Sequence, residues 1–325
     1  LSCLGRECLG AIRVTDGAEE PQARYEKITE SQIRELAAEG ATKSAELLTK
    51  SHLSLTGASG KVGLYYDDEN GEWYLPMGTA PSTHIVKQSH VRLSGIVANE
   101  QLSLLTAKKC GIEVPQSFII NAGSGRDEDV LFATRRYDRI IADSGRRISG
   151  LPQPIRLHQE DFAQAMGIPA SKKYEKRHEG YLKGMFDLLR KYSADPITDL
   201  LKLWDIIVYD FLVGNTDAHI KNFSILYSPD MKRIRFAPAY DRVSTTVYEQ
   251  STRDMAFSIG GAYSLDEITE DNFRRAAEEA GLGEKMALRR FAQMRESFPH
   301  ALREAASELA AEGYDNAEQI AANIL

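Results

Sequence analysis

An apolar helix that runs without a break into a polar loop constrains this chain more than any other feature. From Ile197 to Val213 the residues Leu201, Trp204, Ile207, Val208, Phe211 and Leu212 recur close to the repeat of one buried helix face. Directly behind them stand Gly214-Asn-Thr-Asp217-Ala-His219-Ile-Lys221-Asn222-Phe223. A short strand pair follows, Phe223–Tyr227 and Arg233–Pro238 with a turn at Ser228-Pro229-Asp230, and then Pro238-Ala-Tyr-Asp241.

The rest of the chain divides on either side of this segment. Thr29 and Gln32 have the spacing of a capping box and predict a helix running to about Gly40. Val62–Tyr66 and Glu72–Pro76 read as a hairpin around the Asp67–Gly71 turn, and Thr83–Lys87 as a third strand. A helix is expected over Ser94–Cys110, ended by Gly111, and strands over Gln116–Asn121 and Leu131–Tyr137. Beyond that point His158–Met166 and Tyr181–Tyr192 read as helices, and from Thr269 the chain is helical with stops at Gly281 and Gly313. The expected fold class is α+β: a β-rich lobe over residues 1–137, with a nucleotide loop, and a mostly helical lobe over 138–325.

Asp217 and Asn222 carry the chemistry. Moving a phosphoryl group from ATP requires a carboxylate to orient or deprotonate the acceptor hydroxyl, and oxygen ligands to hold Mg²⁺ against the phosphates. In the catalytic loop of protein kinases four residues separate these two groups, as they do here, and a second acidic ligand follows a short hairpin, where Asp241 stands. Each residue alone is compatible with an ordinary turn; their order gives the reading its weight. No His-Arg precedes Asp217, and Arg242-Val243 follow Asp241 in place of Phe-Gly. The form D-x-H-x-x-N also suits kinases of lipids and small molecules.

Two further groups fit a nucleotide. The small-residue loop Ser54-Leu-Thr56-Gly57-Ala58-Ser59-Gly60-Lys61 has the glycines that let backbone amides approach phosphate oxygens, although it matches neither the Walker pattern nor G-x-G-x-x-G. By itself it reads equally well as a tight turn. Lys87 ends an apolar strand, where a buried lysine requires a partner, and Glu100 in the next helix is the expected one. Arg135-Arg136-Tyr137-Asp138-Arg139 lies where two lobes would join; its side chains read as a solvated charge run.

Taken in order, Ser54–Lys61, Ser82–Lys87, Arg136–Arg139, Leu157–Phe162, Lys173-Tyr-Glu175, Gly214–Asn222 and Pro238–Asp241 resemble the HipA-type serine/threonine kinases. The resemblance runs from about residue 50 to about 245, and implies a two-lobed, protein-kinase-like fold and a cytoplasmic, ATP- and magnesium-dependent enzyme. It makes Asp217 the base, with His219 and Lys221 in the same catalytic loop, and Asn222 and Asp241 the magnesium ligands. Lys87 would contact the phosphates, and Arg135 and Tyr137 would hold adenine through their backbones. Ser54 matches the serine at which such kinases label and silence themselves.

The resemblance further implies a toxin whose protein substrate belongs to translation, such as an aminoacyl-tRNA synthetase. A helix-turn-helix antitoxin of HipB type would be its partner, with DNA reached only through that antitoxin. The start at Leu1 resembles the segment that follows an N-terminal subdomain of about 100 residues, an ordinary domain size. That subdomain is expected elsewhere, in a longer chain or as a separate small protein, unless the chain is a naturally short variant.

Bulk properties narrow the field. The net charge of −7 opposes a chain that coats nucleic acid, and no apolar run approaches the ~20 residues that cross a bilayer. Cys3, Cys8 and Cys110 have no metal-ligand spacing and read as reduced thiols. A kinase of a small molecule or lipid, and a non-catalytic ATP-binding scaffold for a DNA-binding partner, stand as the competing readings.

Overall fold

The computed structural model describes residues 10–12, 22–39, 60–89, 93–142, 145–176 and 179–325. Cys3, Cys8, Gly40 and the loop up to Ser59 lie outside them. The chain forms two compact units. One comprises Leu1–Val97 and Pro115–Gln159, the other Ala98–Val114 and Glu160–Leu325.

The first unit is built on one antiparallel sheet of six strands: β1 (Arg24–Lys27), β2 (Lys61–Asp67), β3 (Glu72–Met77), β4 (His84–Gln88), β5 (Ser117–Asn121) and β6 (Val130–Arg135), in the spatial order β1-β3-β2-β4-β6-β5. The predicted hairpin is present, with Tyr66 opposite Trp73 and Asp67 opposite Glu72. Strand β1 was not foreseen; four residues without a clear alternation carry too little pattern. Helix α1 (Glu30–Glu39) begins with both arms of the capping box, Gln32 N to Thr29 Oγ1 at 3.3 Å and Thr29 N to Gln32 Oε1 at 2.9 Å. Its Ile33 and Leu36 share a core with Val62, Leu64, Leu75, Val86 and Leu131. Alternation along the strands therefore turns Lys61, Tyr65 and Lys87 to the opposite face.

In the second unit the organising element is α2 (Pro196–Val213), capped by Asp195 and ended by Gly214. Trp204, Ile207, Val208 and Tyr209 are buried, and the Trp204 indole donates to Ala287 O at 3.1 Å. Around it stand helices Tyr181–Tyr192, Glu270–Glu279 and Glu284–Ala311, and the hairpin Ser224–Tyr227/Ile234–Phe236, with Ile225 opposite Phe236. A second hairpin, Asp254–Ile259 with Ala262–Ser264, was not predicted.

The helix expected over His158–Met166 is mostly a different structure. Gln159–Asp161 is a strand, and only Phe162–Ala165 is helical. Asp161 starts that turn, accepting from Gln164 N at 2.8 Å, while Phe162 N bonds Phe223 O at 2.9 Å. A late capping box and Gly167 leave room for a single turn. Among the described residues no helix is long and apolar enough to cross a membrane.

Candidate active site

Gly214 makes the polar loop possible. It ends α2 with φ of 72°, a left-handed conformation that glycine adopts without strain. A Cβ there would lie 2.1 Å from Thr246 Oγ1. Its carbonyl accepts from Thr245 N at 3.0 Å, Thr246 N at 3.2 Å and Thr245 Oγ1 at 2.9 Å, so the segment after Asp241 is tied to the start of the Asp217 loop.

The loop is closed on itself. His219 N donates to Asp217 O at 2.7 Å, Asn222 N to His219 O at 2.7 Å, and Asn222 Nδ2 to Asp217 O at 2.9 Å. With Nδ2 engaged on the backbone, Asn222 presents Oδ1, a hard oxygen donor. Asp217 itself is exposed, while Asn222 and His219 are buried. Lys221 is committed elsewhere, its Nζ 2.5 Å from Asp161 Oδ2.

Asp241 adopts φ of 58°, a conformation that is uncommon for any residue but glycine. The chain on both sides of it is fastened. Tyr240 Oη donates to Lys221 O at 3.0 Å. Arg242, 1% exposed, donates to Tyr240 O at 2.9 Å and to Asn222 O at 3.2 Å, and lies 4.7 Å over the Phe223 ring. Its Nε stands 3.2 Å from Asp210 Oδ1 as an ion pair, without the alignment of a hydrogen bond. Burial raises Asp210 to about 6 against the pull of Arg242 and Asn215. Two residues on, Ser244 exchanges bonds with Asn99, N to Oδ1 at 3.0 Å and Nδ2 to O at 2.8 Å. One guanidinium thus joins the backbones beside both expected metal ligands.

Lys173 and Tyr174 complete this cluster; sequence reasoning gave them no role beyond belonging to a motif. The Tyr174 hydroxyl donates to Asp217 Oδ1, and its ring meets His219 edge-on at 5.2 Å. Lys173 Nζ lies 2.8 Å from His219 Nε2 and 4.9 Å from the Tyr174 ring centre. Burial, aided by Lys173, holds His219 below its ordinary value although Asp217 and Asp241 pull the other way. A neutral His219 can then accept a hydrogen bond from the lysine at Nε2. Glu175 anchors the segment, accepting from Gly180 N, Tyr181 N and Ser258 N at 2.7–2.9 Å.

In the first unit, Lys61 and Lys87 are direct cross-strand partners in β2 and β4, so both side chains rise from one face. Lys87 Nζ also lies 5.6 Å from the Phe132 ring centre. Gly60 immediately precedes β2, while Ser54, Thr56, Gly57, Ala58 and Ser59 lie outside the described residues. Glu100 is buried in the helix Ile96–Lys109, whose residues from Ala98 on belong to the second unit.

Arg135 ends β6, with its NH1 3.3 Å from Asp68, and the ladder stops there. Tyr137 follows, its hydroxyl donating to Gln159 Oε1. The run Arg136–Arg139 is not solvated as expected. Arg136, Asp138 and Arg139 are buried, with Asp138 2.9 Å from Arg136 NH2 and 2.8 Å from Arg139 NH1. Burial alone would raise Asp138, but the two arginines prevail and bring it to about 2.

The expected metal ligands suit magnesium. Among the described residues no cluster of three or more His, Cys, Asp or Glu side chains forms a protein cage. An amide oxygen and a carboxylate are the hard donors that Mg²⁺ takes when phosphates and water fill its remaining positions.

Known proteins share the sequence pattern and the fold of this chain. The sequence profile of the HipA-like C-terminal domain matches residues 53–302. "Putative kinase Y4mE" of Sinorhizobium fredii is 38% identical over 254 residues, 77% of this chain and 56% of that protein. This chain therefore spans little more than half of that relative's length. The serine/threonine-protein kinase toxin HipA of Shewanella oneidensis is 26% identical over 317 residues, 94% of this chain and 69% of that one. A solved structure of Shewanella oneidensis HipA with HipB and operator DNA aligns with a TM-score of 0.75 at 24% identity, covering 99% of this chain and 76% of that chain. The α+β, kinase-like fold is that of HipA.

Proposed function

Since this chain belongs to the HipA-like C-terminal domain family, whose named relatives are kinases, we propose that it is an ATP- and magnesium-dependent serine/threonine protein kinase. The observation that carries the reading is the closed loop: Asn222 Nδ2 braces the carbonyl of Asp217 at 2.9 Å, while the Asp217 carboxylate stays exposed. Base and metal ligand are thereby fixed to one another before any substrate arrives, which is what phosphoryl transfer asks of a protein.

In this reading the acceptor hydroxyl donates its hydrogen bond to Asp217 and gives up its proton there as its oxygen bonds to the γ-phosphorus, while the bond to the β,γ-bridging oxygen breaks and ADP leaves. Asn222 Oδ1 and the Asp241 carboxylate would hold magnesium, which supplies neutralisation of phosphate charge. Lys87 and Lys61 would meet phosphate oxygens, and the backbone of Arg135 and Tyr137 the adenine edge. Ser54 would be the self-labelling site and off switch. A protein of translation would be the target, and a HipB-type antitoxin would bring the chain to DNA. Support for the antitoxin comes from the company HipA keeps in its solved complex.

The test is incubation with labelled ATP and Mg²⁺, beside Asp217→Asn, with the phosphosite mapped. Label on Ser54 is expected, with the rate falling about 10²–10⁴-fold in the variant, the range for loss of a general base. ATP bound without any protein label would turn the reading toward a small hydroxylated acceptor.

A further inference from the structure

A hydroxyl already sits on the carboxylate that an acceptor hydroxyl has to reach. Tyr174 donates to Asp217 Oδ1, and nothing in the proposed transfer uses it. The phenol is not there by accident of a loose side chain. Its ring is held between the His219 edge at 5.2 Å and the Lys173 ammonium at 4.9 Å. The next residue, Glu175, is 7% exposed and bonded to three backbone amides. Burial and the bond to Asp217 raise the phenol above its ordinary value, so it remains a donor.

We propose that the Tyr174 hydroxyl occupies, on Asp217, the place of the acceptor hydroxyl, and so selects what reaches the base: an acceptor that displaces the phenol, in preference to water. This rests on Asp217 as the base. Tyr174 touches the base directly and is 41% exposed, so an incoming chain can push it aside. A free water molecule brings one hydrogen bond and exchanges it for one just as good. A protein acceptor brings additional contacts that repay the displacement. The residue therefore sets a preference between acceptors.

Water is the probe. In the competing reaction the water oxygen bonds to the γ-phosphorus, its proton passes to Asp217, and the bond to the β,γ-bridging oxygen breaks, so that ADP and phosphate leave. Tyr174→Phe deletes one oxygen while keeping the ring against Lys173 and His219. Magnesium-dependent ATP hydrolysis by Tyr174→Phe should rise about tenfold, the lower factor for losing a competing hydrogen bond to a charged group. ATP affinity should be unchanged, and adding Asp217→Asn should remove the gain. Hydrolysis that is unchanged or lower in Tyr174→Phe, at wild-type ATP affinity, overturns the inference, because a phenol that merely buttressed the loop would slow the reaction on removal. A wild-type chain that binds no Mg-ATP overturns the kinase reading, and the inference with it.

Discussion

Arg242→Met tests whether one guanidinium holds the two halves of the candidate site together. The variant keeps an unbranched, largely apolar side chain over Phe223 and removes three interactions: the pair with Asp210 and the bonds to Tyr240 O and Asn222 O. A buried carbonyl left without a donor costs about 1–3 kcal/mol. Two of them give about 2–5 kcal/mol at any pH once methionine packing is credited.

The carboxylate behaves differently. Burial has moved Asp210 from 3.8 to about 6 even with Arg242 present, which at about 1.36 kcal/mol per pH unit amounts to about 3 kcal/mol against the native state above that pH. A raised value in the folded protein means that stability from this group is complete below 3.8 and is lost as pH rises through about 6. Without Arg242 the buried acid stays protonated, and the loss continues to grow with pH. The penalty added by the substitution is then near zero at pH 5, about 1 kcal/mol at pH 7 and about 3 kcal/mol at pH 8. Urea unfolding followed by circular dichroism at those three values measures it. The destabilisation should grow with pH, and the double variant with Asp210→Asn should lose that growth. A destabilisation equal at pH 5 and pH 8 would refute the assignment of Asp210 as the partner that Arg242 keeps charged.

Gly214→Ala combines a left-handed backbone with a Cβ 2.1 Å from Thr246 Oγ1. About 1–3 kcal/mol for each effect predicts a destabilisation of about 2–6 kcal/mol by the same unfolding assay, and a value under 1 kcal/mol would mean that Thr246 yields freely. Asp241→Asn keeps a residue that tolerates φ of 58° but removes an anionic oxygen. Its unfolding midpoint should stay near wild type while magnesium-dependent nucleotide affinity, read by titration calorimetry, falls at least about tenfold. Wild-type affinity in that variant would remove Asp241 from the metal.

What the sequence revealed was local. The capping box at Thr29, the hairpin around Asp67–Gly71, the apolar repeat of α2 and the spacing of Asp217 from Asn222 each depend on residues within a few positions of one another. Physical rules for such spans are nearly independent of the rest of the chain. The helix predicted through His158–Met166 failed for the opposite reason. There the apolar spacing was right, but Phe162 N found Phe223 O, far along the chain, and the backbone before it became a strand.

The residues that were missed share one physical origin: each is a polar side chain whose partner lies far away in sequence. Tyr174 meets Asp217, Arg242 meets Asp210, and Asn99 meets Ser244, across separations of 43, 32 and 145 residues. A signal for one of them was nevertheless present. Asp210 sits between Tyr209 and Phe211 in a helix apolar enough to be buried, and a carboxylate there requires a cation. Arg242 follows directly on a residue expected to bind metal, so its side chain had to serve either the ligand or the scaffold. The same reasoning applies to Arg136, Asp138 and Arg139. Two arginines flanking an aspartate can form a solvated run or neutralise one another in a core, and composition cannot separate the two. What separates them is geometry: Asp138 lies 2.8–2.9 Å from both guanidinium groups, and Gly10 N also donates to it at 3.0 Å. That amide fastens Gly10 to the segment expected to hold adenine, so truncation through Gly10 should weaken nucleotide binding by way of Asp138; unchanged affinity by titration calorimetry would refute the link.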